Sequence, residues 1–126
     1  MQVRTGIDII EVNRIEEIIE KDGEKFLSRV FTAKEIEYCE NKKAQKFQSY
    51  AARFAAKEAV LKAISGNIEN KYNIEWKDIE ILNGKDGRPY VSFSEKLQAK
   101  GFQNSNVDVS LSHIKESTVA SAVFCK

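Results

Sequence analysis

The chain has 126 residues, 42% of them hydrophobic, and its 20 basic and 19 acidic side chains leave a net charge of +1. That size fits one domain, residues 1–126, able to bury roughly two-thirds of its extended surface, and the near balance of charge excludes a general nucleic-acid binder. Two distant cysteines, Cys39 and Cys125, and one histidine exclude a zinc framework or a disulfide scaffold and point to a reducing compartment; with no signal peptide and no apolar run near ~18–20 residues, no membrane span is expected.

Met1 to Ile10 reads as a strand, with Val3, Thr5, Ile7 and Ile9 on one face and Arg4, Gly6, Asp8 and Ile10 on the other. Asp8 is flanked by isoleucines, a poor place for an unpaired charge, and Gly6 leaves space on the same face for something to approach the backbone. The plainer alternative makes Asp8 a turn residue that caps the next helix. Asn13 and Glu16 have the form of an N-cap and its N3 partner, opening a helix with Ile15, Ile18 and Ile19 inward that Asp22-Gly23 ends. A short helix over about residues 24–30 follows. Thr32 with Glu35 is a clearer capping box, for a helix to about Glu40 with Ile36 and Cys39 inward.

A long helix is expected from about Ala44 to Ile64, rich in alanine and free of Pro and Gly. Phe47, Tyr50, Phe54, Glu58, Leu61 and Ser65 recur at the spacing of one helix face, so Glu58 falls within an apolar stripe. A carboxylate there needs a cation or hydrogen bonds. Lys62, four residues on, is the candidate cation, and Arg53 and Lys57 form a second cationic edge. One reading is a Glu–Lys pair flanking the core; the other is a metal ligand among phosphate-binding cations.

Residues 67–75 read as a loop. Strands follow at Ile79–Leu82 and Tyr90–Phe93, separated by the turn dipeptides Asn83-Gly84 and Asp86-Gly87. Ser94 caps a short helix to about Lys100. Asn106–His113 and Thr118–Phe124 alternate as strands around a turn at Lys115-Glu116-Ser117. The fold class is therefore α+β: an N-terminal strand, a helical middle with one long helix, then a mainly antiparallel sheet.

Asp8 and Glu58 are two carboxylates in apolar settings on different elements. Magnesium sites commonly use one or two carboxylates and leave the other positions to water and substrate phosphates. Lys62, Arg53 and Lys57 suit anionic oxygens. His113, the one histidine, ends a strand, where a lone histidine is more often an ordinary packed or surface residue than a functional one.

The order Gly6-Ile7-Asp8, Arg14-Ile15, Phe31-Thr32-Ala33-Lys34-Glu35 with Tyr38-Cys39, Arg53-Phe54-Ala55-Ala56-Lys57-Glu58-Ala59 with Lys62-Ala63, Gly87-Arg88-Pro89 and Ser110-Leu111-Ser112-His113 resembles the holo-acyl-carrier-protein synthases. These are the short, single-domain 4′-phosphopantetheinyl transferases. The resemblance runs from residue 3 to about 123. It implies that a serine of apo acyl carrier protein attacks coenzyme A, takes the 4′-phosphopantetheine arm and releases adenosine 3′,5′-bisphosphate, in the cytoplasm, for fatty acid biosynthesis.

By the same resemblance Asp8 and Glu58 hold magnesium or manganese and are catalytic with Lys62, while Arg53, Lys62 and His113 bind coenzyme A. The proton acceptor stays open between a metal-bound water, Glu58 and Lys62. The family assembles as a homotrimer with sites between subunits, and the valine- and alanine-rich stretch Val119–Val123 suits covering by another chain. Residues 65–72 are bulkier than the family's glycine-rich loop and carry a negative charge. Acyl carrier proteins are acidic, so docking is expected on Arg14, Lys21 and Lys25 of the first helix, or failing that around Lys42, Lys43 and Lys46. Two other readings compete: a binding module that holds coenzyme A or a carrier protein without chemistry, and a metal-dependent phosphohydrolase. Retention of two carboxylates favours the transferase over the module.

Overall fold

The computed structural model of the chain describes residues 1–69 and 73–126. Strand β1 (Val3–Glu11) leads into helix α1 (Val12–Val30), α2 (Ala33–Glu40) and the long helix α3 (Lys46–Ile64). The hairpin β2 (Ile79–Asn83) and β3 (Pro89–Phe93), the short α4 (Glu95–Ala99), and β4 (Val107–His113) with β5 (Ser117–Cys125) complete the order. All strand pairs are antiparallel; one sheet has the order β1-β5-β4 and the other is the hairpin β2-β3. The α+β expectation holds.

The first helix differs from expectation at its start. β1 runs on to Glu11, and the Val12 N–H donates to Glu116 O at 2.8 Å. A backbone carbonyl from the β4–β5 turn thus satisfies a free helix N–H, and no side-chain cap forms. Asn13 lies inside the helix and its Nδ2 bonds Glu17 instead. At Asp22 the backbone leaves helical geometry, so Asp22-Gly23 kinks α1 and the chain continues helical to Val30. The Thr32–Glu35 capping box of α2 forms in both directions.

α3 crosses the inner face of the three-stranded sheet. Its core side is not the aromatic stripe but the alanines: Ala55, Ala56, Ala59 and Ala63 are buried with Ala120 and Ala122 of β5 and Phe124. Phe47, Phe54, Glu58 and Leu61 are half-buried along its flank. Small side chains let helix and sheet backbones approach. The closest approach is at Gly6, where a Cβ would lie 1.9 Å from the Ala59 carbonyl oxygen. No larger residue fits there without moving α3 off β1. A second cluster, containing Ile15, Phe26, Val30, Phe31, Cys39 and Tyr50, fills the space between α1, α2 and the first half of α3.

The outer face of the sheet is uncovered in the single chain. Val3, Ile7, Ile9 and Val123 are 54%, 64%, 71% and 44% exposed. Of the segment 65–72, residues 70–72 lie outside the described residues; Ser65–Asn67 form one turn of 3-10 helix.

Candidate active site

Alternation along β1 turns Asp8 to the same face as Gly6, toward α3. The Gly6–Ala59 contact then brings Glu58, the residue before Ala59, to Asp8. The Glu58 carboxyl is held above its ordinary value by burial and, next, by the Asp8 charge, with Lys62 opposing. Lys62 Nζ lies 3.5 Å from Asp8 Oδ1 and donates to Ile7 O at 2.9 Å. The lysine expected to pair with Glu58 therefore pairs most closely with Asp8.

Both carboxylates open into a cleft of about 530 Å³ lined also by Ile10, Glu11, Arg14 and Phe54. The Phe54 ring stacks on Trp76 at 5.1 Å between centroids. Two hard oxygen donors in mutual repulsion, facing a space wide enough for phosphates, are a donor set for a small divalent cation that keeps water or substrate ligands. Among the described residues no group of three or more His, Cys, Asp or Glu side chains could hold a metal ion without such help.

Arg53 and His113 come together elsewhere. They line a second cleft of about 330 Å³ with Tyr38, Lys42, Gln48 and Asn83. Arg53 is only 4% exposed; its guanidinium lies 3.9 Å from the Tyr38 ring centroid and donates through Nη2 to Asn83 Oδ1. Asn83 Nδ2 in turn donates to Gly87 O at 2.9 Å, which ties the β2–β3 turn to the cleft. Arg53 Nε is buried with no partner among the described residues. His113 also borders a shallow depression on the sheet's outer side, with Ile9, Ile114 and Ser117. Ile9 and Ser117 belong to the carboxylate cleft as well.

Lys57 is not part of a cationic edge. It has no solvent exposure and forms an ion pair with Glu35 at 2.8 Å. The reason is helical geometry: Lys57 points to the side of α3 that faces α2 and β2, where Glu35 waits. The capping box revealed Glu35 in the sequence, but its buried carboxylate went unread, since its partner is 22 residues away. Tyr38, Asn83 and the Phe54–Trp76 stack were missed as site residues for the same cause. Of the docking candidates, Arg14, Lys21 and Lys25 are all exposed, and Arg14 lines the carboxylate cleft. The kink at Asp22 sets Lys25 on a different helical segment from the other two.

The chain belongs to the 4′-phosphopantetheinyl transferase superfamily, whose model matches residues 4–122. Within it, the chain is 52% identical to the holo-[acyl-carrier-protein] synthase of Ruminiclostridium cellulolyticum, over 98% of this chain and 92% of that protein. The crystal structure of the Bacillus anthracis synthase with coenzyme A (3′,5′-ADP) is 34% identical, with a TM-score of 0.75 over 96% of this chain and 94% of that one. The Helicobacter pylori synthase in complex with coenzyme A is 28% identical, with a TM-score of 0.77 over 94% and 96%.

Proposed function

We propose that the chain, as one phosphopantetheinyl transferase domain, moves the 4′-phosphopantetheine arm of coenzyme A onto a serine of apo acyl carrier protein. The observation that carries the site assignment is the pair Asp8 and Glu58, brought together by the Gly6–Ala59 contact at the floor of an open cleft. The serine oxygen forms a bond to the pantetheine-side phosphorus. The bond from that phosphorus to the bridging oxygen breaks, and adenosine 3′,5′-bisphosphate leaves with the electron pair.

Asp8 and Glu58 would hold magnesium or manganese, which supplies neutralisation of pyrophosphate charge when bound. Glu58 and Lys62 are the groups of the chain at hand beside Asp8 to accept the serine proton. Lys62, exposed at the cleft's edge, faces the charge that grows on the leaving oxygens. Arg53 and His113, with Lys42, bind the coenzyme's phosphates; the unpartnered Arg53 Nε supports an anion there. Arg14 at the cleft mouth, with Lys21 and Lys25 further along α1, receives the acidic carrier protein.

A homotrimer completes the site. The carboxylate and coenzyme clefts share no lining residue within one chain, and the apolar outer face beside Ile9 and His113 suits a second copy. The expected setting is the cytoplasm, in fatty acid biosynthesis; the two cysteines kept as free thiols support a reducing compartment.

Mass spectrometry of apo carrier protein incubated with the chain, coenzyme A and magnesium tests the reading. The carrier is expected to gain one phosphopantetheine. An unmodified carrier, with coenzyme A bound and intact, would leave only a binding module. Release of adenosine bisphosphate without any acceptor would mark a phosphohydrolase.

A further inference from the structure

One buried pair of charges takes no part in the chemistry above. Lys57 and Glu35 are both fully buried and face each other at 2.8 Å. An ammonium has three N–H donors, and Lys57 places them on Glu35 Oε1, Ile79 O at 2.7 Å and Trp76 O at 3.1 Å. Glu35 is equally committed: Oε1 also accepts from the Thr32 N–H at 2.9 Å, and Oε2 from the Ile81 N–H at 2.8 Å. The pair binds α2, α3 and β2 at one point. An apolar pair of like volume would bury as well and often stabilises as much. What the pair adds is a set of directed bonds to backbone groups of Trp76, Ile79 and Ile81.

Direction matters because of where Lys57 sits. Residues on an α-helix step by about 100°, so Lys57 and Ala59 project to nearly opposite sides and Glu58 lies between them. On the Ala59 side the helix is pressed against Gly6 of β1. On the Lys57 side it is held to Glu35 and to the carbonyls at both ends of the 3-10 turn Trp76–Asp78. Trp76 in turn stacks on Phe54, a wall of the carboxylate cleft.

We infer that Lys57 is a positioning residue for the transfer: through Glu35, Trp76 O and Ile79 O it sets the rotation of α3 that aims Glu58 at Asp8. The inference rests on the two-carboxylate reading of the cleft. It is tested without substrate, by electron paramagnetic resonance of free Mn²⁺ titrated into the intact chain and its variants. Lys57→Met with Glu35→Gln removes both charges together, and Glu35→Gln alone keeps the lysine with its two carbonyls, should the double variant not fold. Val107→Ala opens a cavity at the start of β4, where Val107 pairs with Phe124 of β5, as a control for general loosening.

The Mn²⁺ Kd is expected to rise roughly tenfold or more in the double variant, and several-fold in Glu35→Gln, as for other residues that orient metal ligands. The Mn²⁺ Kd of Val107→Ala should stay within about twofold of wild type. Wild-type Mn²⁺ affinity in the folded variants, or an equal rise in Val107→Ala, overturns the inference alone. A wild-type chain that binds no Mn²⁺ removes the two-carboxylate reading and this inference with it.

Discussion

Lys57 and Glu58 are neighbours in the chain, yet they serve opposite regions of the molecule. Lys57 enters a closed pocket in which each of its donors has an acceptor and its counter-charge is fully buried. Glu58 enters an open cleft where its nearest acidic neighbour, Asp8, makes its charge less favourable. One region is electrostatically satisfied and the other is poised for a cation. The difference teaches that a charged residue on an apolar helix is not by itself a sign of a site. Whether its partners inside the fold are sufficient is what separates a structural charge from a functional one.

The contrast breaks most visibly by truncation in the open region. Asp8→Ala or Glu58→Ala should lower the transfer rate by roughly 1,000-fold, the scale of losing a charge-stabilising group. The metal-free melting temperature should hold or rise, because removing one carboxylate relieves repulsion. Near wild-type transfer by either variant at saturating magnesium would refute the site.

Truncation in the closed region should act on stability instead. Lys57→Ala leaves Glu35 buried and unpaired, at a cost of about 3–5 kcal/mol in urea unfolding. A loss below about 1 kcal/mol, the scale of an exposed pair, would mean that water reaches Glu35 and that the two regions are less different than described.

At the cleft mouth the effect should be on encounter. Arg14→Glu is expected to raise the carrier-protein KM about tenfold at low salt, leave the coenzyme A KM unchanged and reduce the salt sensitivity seen in wild type. Equal kinetics would move docking to the basic stretch around Lys42, Lys43 and Lys46.

The smallest effect is a pH slope. Burial and then Asp8 raise the Glu58 carboxyl above 4.5, so the folded, metal-free chain holds that proton more tightly than the unfolded chain does. Stability should therefore fall as pH rises from about 4.5 through the raised value, and level off above it. Glu58→Gln should remove that part of the slope in urea midpoints measured from about pH 4 to pH 7.

Much of this organisation was legible before folding. The alternation of β1, the Thr32–Glu35 capping box, the hairpin turn residues and the alanine-rich helix are local patterns, and each element formed within a few residues of its expected bounds. Asp8 and Glu58 stood out because each is a carboxylate among apolar neighbours. The Asn13 cap failed because the helix already starts at Val12, whose N–H bonds the Glu116 carbonyl about a hundred residues away, so Asn13 falls inside the first turn. The stripe of Phe47, Phe54, Glu58 and Leu61 lies half-buried on the flank of α3, so large side chains do not mark its core side. Close packing of backbones favours alanine instead, as Ala59 against Gly6 makes plain.

By itself the sequence determined the secondary structure, the two candidate carboxylates and the family to which the chain belongs. These depend on residue type and on spacing along a single element. Tertiary structure alone decided which lysine is buried with Glu35, that Lys62 lies closest to Asp8, and that Arg53 and His113 share a cleft separate from the carboxylates. Those outcomes depend on how α3 is rotated and what approaches it from β1, α2 and β2, and contacts between residues tens of positions apart leave no periodic trace in the chain.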